Sequence, residues 1–143
     1  MRSPSLPSRM VSPSTDETLL SRLKQNVSDA EREFSYVAQR IGLGAAFVRY
    51  GAPDAMNIGG DASFTFGPEA IGKAVSDGEP ATGSSVSWAA DKALAASSGD
   101  LGVTIGFIWP NDPPPAGQPA RRFPFFTIWR RPSVNDPWRY VAE

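Results

Sequence analysis

Three side chains stand where they could do chemistry: Tyr50, Asp54 and Asp61. Asp54, in Pro53-Asp54-Ala55, could act as a pocket carboxylate whose burial lifts its pKa toward the working range of a general base. The plainer alternative is a turn and capping residue after a helix. Asp61 follows Gly59-Gly60, where a solvated loop carboxylate is the simpler reading. Tyr50 closes a short helix just upstream of both. Other chemistries are shut off by composition, because the chain has no His and no Cys. That removes thiolate nucleophiles, disulfides, Cys/His zinc sites, Ser-His-Asp triads and imidazole acid–base catalysis. A metal would need oxygen ligands alone, and no clustered carboxylate pattern offers them. No cofactor is implied, and no catalytic constellation is recognised.

The elements that must position these groups belong to one domain. A chain of 143 residues can bury roughly two-thirds of the surface its unfolded form exposes, so it needs no staple to fold. A formal net charge of −1 gives no long-range field for nucleic acid or an anionic membrane. No apolar run approaches the roughly 18 residues required to span a bilayer. Residues 1–15 are Ser/Pro-rich without a helical or strand period, which predicts a disordered leader to a domain over 16–143. They lack the apolar core of a secretory signal, so the cytoplasm is the expected compartment. Met10 offers an alternative start.

An apolar stripe at steps of three and four, Leu19-Leu20-Leu23-Val27-Ala30-Phe34-Val37-Ala38-Ile41, predicts an amphipathic helix from 16 to 41. Unbroken, it would be about 39 Å long at 1.5 Å per residue. Ser28-Asp29-Ala30-Glu31 matches a capping box and allows a break there. Gly42 ends the helix, and a second short helix carries Leu43, Ala46, Phe47 and Tyr50 on one side. Met56–Ile58 and Ser63–Phe66 read as short strands, and 67–75 as a brief helix with Pro68 in its first turn. Beyond Gly83 the period becomes two. Val86, Trp88, Ala90, Lys92 and Leu94 are expected on one face of a strand, and Ser97–Asp100 as a hairpin turn. Leu101, Val103, Ile105, Phe107 and Trp109 then alternate with Gly102, Thr104, Gly106 and Ile108. Strands over 123–131 and 138–142 follow a Pro-rich loop, which reads as a stiffened hairpin connection or a lid. Helices first and antiparallel strands after give an α+β class, with helices on one face of a sheet.

The small face of Gly102, Thr104 and Gly106 suits either a ligand or the close approach of a helix. Most aromatic residues must be core, and a minority could touch a cavity. Phe125, Thr127 and Trp129 alternate with Phe126 and Ile128, so this strand is apolar on both faces. A strand with one wet face should alternate with polar residues. The outer face is therefore expected to be covered by a second copy, making a homodimer. Arg121, Arg122, Arg130, Arg131 and Arg139 cluster near the C-terminus, where they could bind a carboxylate or phosphate or form a solvated sheet margin.

Taken in order, Ala45-Ala46-Phe47, Pro53-Asp54-Ala55, Gly67-Pro68-Glu69-Ala70-Ile71, Ser98-Gly99-Asp100-Leu101-Gly102, Thr127-Ile128-Trp129-Arg130-Arg131 and Trp138-Arg139-Tyr140-Val141 carry a resemblance. The chain resembles the ketosteroid-isomerase-like and SnoaL-like branch of the nuclear transport factor 2-like superfamily, especially its bacterial domains of unknown function. The resemblance covers roughly 17–143. It implies a cystatin-like cone, in which a curved mixed sheet wraps around the helices and leaves an apolar cavity at the open end. It also implies homodimers and a small apolar or aromatic ligand. On that basis the ligand pocket is assigned to Phe34, Phe47, Tyr50, Phe66, Trp88, Thr127 and Trp129. The isomerases' Asp base, Tyr and second Asp fall by position near Gly59, Phe34 and Thr127, so steroid-isomerase chemistry is not implied. Asp54, Asp61, Tyr36 and Tyr50 lie near enough in sequence to replace them. Three functions follow: a small-molecule-binding domain, an enzyme using a pocket carboxylate for proton transfer on a cyclic polyketide- or steroid-like substrate, or a structural dimerisation module with a vestigial pocket.

Overall fold

The computed structural model describes residues 13–143, with side chains from residue 16. The irregular leader expected over 1–15 lies outside the described residues as far as residue 12. Helix α1 spans Pro13–Ile41, α2 Leu43–Tyr50 and α3 Pro68–Val75. The strands are β1 Gly51–Ile58, β2 Phe64–Phe66, β3 Val86–Ala95, β4 Leu101–Pro110, β5 Phe123–Arg130 and β6 Arg139–Ala142. They form one sheet in the order β2-β1-β6-β5-β4-β3. All neighbours are antiparallel except β1 and β6, which run parallel. The α+β class and the mixed sheet expected for the cone are both present.

Helix α1 runs without a break, so the Ser28–Glu31 sequence is not a capping box here. Glu31 is instead buried on the inner side of the helix, one turn from Val27 and one from Phe34. One glycine cradle fixes how α1 meets the sheet, and a second how β3 meets β4. A Cβ on Gly102 would lie 2.6 Å from a Val27 methyl, so the missing side chain lets α1 settle on β4. A Cβ on Gly106 would lie 1.9 Å from the Ala89 carbonyl oxygen. Beside it the β3–β4 register slips between Ala90 and Lys92. That bulge corrects the single alternation expected for β3. Trp88 and Ala90 face inward with Ile108 and Gly106, whereas after Asp91 it is Ala93 and Ala95 that face inward, opposite Thr104 and Gly102. A β-bulge inserts one residue and bends the strand, which curls the sheet around α1.

The core is a knot of rings around Phe34. Its centroid lies 4.9 Å from Phe47, 5.2 Å from Tyr50, 5.1 Å from Trp88, 5.9 Å from Trp129 and 5.7 Å from Tyr140. Edge-to-face and offset pairs of this kind add about 0.5–1.5 kcal/mol beyond their area. Tyr140 Oη also donates to the Phe47 carbonyl at 2.7 Å, tying β6 to α2.

Because backbone is what crowds Gly106, Gly106→Ala should lower stability by about 1–3 kcal/mol in urea denaturation. Gly60→Ala, whose Cβ would meet nothing within 4 Å, should stay within about 0.5 kcal/mol.

Candidate functional site

The two carboxyl groups whose pKa burial raises, Glu31 and Glu143, lie against the inner face of the sheet, and they are not those the sequence singled out. Glu31 hangs from α1 over the inner face of β4 and β5. Its Oε1 accepts from Thr104 Oγ1 at 2.6 Å, and its Oε2 from the Trp88 indole N–H at 2.8 Å. The Trp129 indole N–H bonds Thr104 Oγ1 at 3.0 Å and reaches Glu31 Oε1 at 3.4 Å. These donors favour the carboxylate, but burial outweighs them and raises the Glu31 pKa above its ordinary value.

The sheet extends this polar patch as a row. Thr104 faces Thr127 across β4 and β5, and the Ile128–Ala142 pairing carries the row on to Glu143. Glu143 is held in the β1–β6 ladder: its N–H donates to the Met56 carbonyl, and its own carbonyl accepts from Ile58 N–H. Its side-chain Oε2 is buried without a hydrogen-bond partner, as is Thr127 Oγ1. The Thr127 hydroxyl is near enough to Glu31 to favour the ionised form there, yet it is not aligned for a bond with it. Burial first, and then the nearby Glu31, push the Glu143 carboxyl well above the usual carboxylate range. Donors surround Glu31, whereas the buried Oε2 of Glu143 has none.

A second cluster sits in a cleft of about 300 Å³ between α1 and the β5–β6 turn. Tyr50 Oη donates to Glu33 Oε2 at 2.7 Å. Desolvation, with Glu33 beside it, pushes the phenol up to about 12. Tyr50 is thus a donor to a carboxylate and no base at neutral pH. Asp54 is exposed and paired with Arg130 at 2.6 Å, and that guanidinium's hydrogen bonds hold its pKa down. Asp61 is exposed and caps its own turn, accepting from Ser63 N–H and Oγ, which also lowers its pKa. Asp54, Asp61 and Tyr50 are therefore not brought together.

The residues assigned to an apolar pocket fare differently. Phe34, Phe47, Trp88 and Trp129 pack on one another and are 7% exposed or less. Phe66 stands instead on the outer side of β2 beside Phe64 and is 66% exposed. Thr127 does face the interior. Glu31 escaped the sequence reading because the Ser28–Glu31 spacing accounted for it as a capping-box residue. The signal was its spacing, four residues after Val27 and three before Phe34.

Among solved structures, a conserved protein from Planctomyces limnophilus is similar at 15% identity, covering 79% of this chain and 89% of its own, with a TM-score of 0.52. A domain of unknown function with a cystatin-like fold from Nostoc punctiforme is 16% identical, covering 92% and 76%, with a TM-score of 0.51. A nuclear transport factor 2-like protein of unknown function from Mesorhizobium loti is 16% identical, covering 83% and 88%, at 0.48. The fold is cystatin-like. No family model and no curated protein matches the chain. Among the described residues, no helix is long and apolar enough to cross a membrane.

Both interior carboxyl pKa values run upward, so each group holds its proton more tightly folded than unfolded. Their stabilising contribution is complete below the ordinary carboxylate pKa and is lost as pH rises through the folded-state values. Urea denaturation from about pH 4 to pH 8 should show that loss, and Glu143→Gln should flatten it. Glu31→Ala should cost at least about 2 kcal/mol, because it strands the Trp88 and Thr104 donors in the core.

Proposed function

We propose that this domain is an assembly module: two copies pair through the outer face of the sheet, and the interior braces that face. The observation that carries this reading is where the large apolar side chains are left. Leu94, Leu101, Ile105, Trp109 and Phe126 are all more than a third exposed on the outer face of β3, β4 and β5. The register joins them. Ile105 pairs with Phe126, and Val103 lies between Leu94 and Ile128. The patch continues through Ala142, Met56 and Phe66 onto β1 and β2. A monomer rarely exposes so extended an apolar surface, and pairing two copies of it would fit an interface of about 800 Å² per partner.

The small-molecule reading is less well supported, because the rings expected to line its pocket fill the space themselves. One observation keeps the proton-transfer enzyme in play: the acid pair Glu31 and Glu143 beside the unpartnered Thr127 hydroxyl. That reading needs the aromatic knot to open, whereas the assembly reading needs it closed.

Sedimentation equilibrium at tens of micromolar tests the proposal. The wild type should be a dimer, and Phe126→Glu or Ile105→Glu should give a folded monomer with an unchanged far-UV spectrum. A monomeric wild type would sink the assembly reading.

A further inference from the structure

The arginines near the C-terminus separate into two kinds. Among the described residues the ion pairs are Arg32–Asp29 and Arg130–Asp54. Arg131 and Arg139 have no carboxylate partner, and both line the cleft between α1 and the β5–β6 turn. Arg131 is only 7% exposed. Neutral acceptors hold it: its Nε donates to the Gly99 carbonyl at 2.7 Å and its Nη1 to Asn26 Oδ1 at 2.9 Å, while its plane lies 4.0 Å over Trp138. The Trp138 indole N–H donates to the same Asn26 oxygen at 3.0 Å. Arg139 is half-buried and bonds only the Trp138 carbonyl, at 3.3 Å. Burial outweighs the nearby Asp136 and Asp100 charges and disfavours the Arg131 guanidinium, and a bound anion would relieve that cost.

The cleft's carboxylates are already engaged. Asp29 accepts from Arg32 and Gln25, Glu33 from Tyr50, and Asp136 from Ser133. They leave the guanidiniums free but surround the opening with negative charge, which disfavours a doubly charged guest. Tyr50 and Trp138 supply aromatic walls, and about 300 Å³ holds a single ring with its substituent. We propose that this cleft binds a small aromatic or cyclic monocarboxylate, with Arg139 and Arg131 receiving the carboxylate and the rings of Trp138 and Tyr50 flanking its body. Planar guanidinium matches carboxylate geometry, and charge-assisted bonds of this type are about twice as strong as neutral ones. The site touches the aromatic knot only at Tyr50, so it is compatible with a closed interior and with a dimer on the opposite face of the sheet.

Benzoate, benzamide and phenyl phosphate titrated into the uniformly ¹⁵N-labelled full chain provide the test. The Trp138 indole N–H is the reporter, assigned with Trp138→Phe. Benzoate should shift that signal in a saturable way, with benzamide at least about tenfold weaker. Arg139→Met should weaken benzoate by about tenfold or more while leaving the other indole signals in place. No response to benzoate, equal binding of benzamide, or full benzoate binding by the Met variant would each overturn the proposal. Tighter binding of phenyl phosphate than of benzoate would overturn the monocarboxylate assignment in favour of a phosphate ester.

Discussion

Glu31 is the constraint around which this domain is organised. A carboxyl group carried into the core needs donors on every side, and a helix cannot supply them from its own turn. They come from three separate strands: Trp88 on β3, Thr104 on β4 and Trp129 on β5. The requirement therefore fixes the height and rotation of α1 over the sheet. Apolar packing alone tolerates sliding, because its energy is not directional. Hydrogen bonds to a buried acid do not, since each donor that loses its partner costs about 1–3 kcal/mol.

Much else follows from the placement of α1. The helix can come close enough for its carboxyl to reach Thr104 only because Gly102 offers no side chain to Val27. Trp88 can point inward only on the near side of the bulge at Asp91. With α1 in place, Phe34 lies at the centre of five other rings, and the space that a ligand would need is occupied. The interior is thus filled in part by the same indole rings, Trp88 and Trp129, that orient Glu31. The polar row beyond it, Thr127 and Glu143, keeps two atoms unpartnered, so closure is complete for apolar groups and incomplete for polar ones.

The fold was legible from the sequence because its signals are periodic. The stripe of α1, the turn glycines and the two-sided apolarity of β5 each state an element or a face without reference to distant residues. The site was less legible because its members meet only through tertiary structure. Glu31 and Glu143 are 112 positions apart, and the one local mark of burial is the spacing of Glu31 from Val27 and Phe34. Glu31 even carried a misleading local signal, the capping-box spacing from Ser28. Asp54 stands exposed on β1 and Asp61 in the turn after it, so water, Arg130 and Ser63 reach them first. The β3 alternation failed for a related reason. Asp91 is one extra residue in one strand, and only its partner strand shows that it is extra.

The two faces of the sheet then divide the labour in a way that composition conceals. The inner face is small on β4, with glycine, threonine and glycine, so that a bulky helix can bear against it. The outer face of the same strand carries Leu101, Val103, Ile105, Phe107 and Trp109, which is more apolar surface than the core itself uses on that strand. An unpartnered sheet would gain solubility by placing charges there, and this chain places its charges elsewhere. Lys92 lies beside Ile105 and the Asp54–Arg130 pair opposite Leu101, and the Arg122 guanidinium lies 4.1 Å over the Phe107 ring. Arg131, next in sequence to Arg130, turns to the opposite side of the chain and into the cleft against Trp138. A single Arg-Arg pair at the end of β5 therefore serves both sides of the molecule. One guanidinium rims the apolar face, and the other lines a polar cleft with its hydrogen bonds made to neutral acceptors.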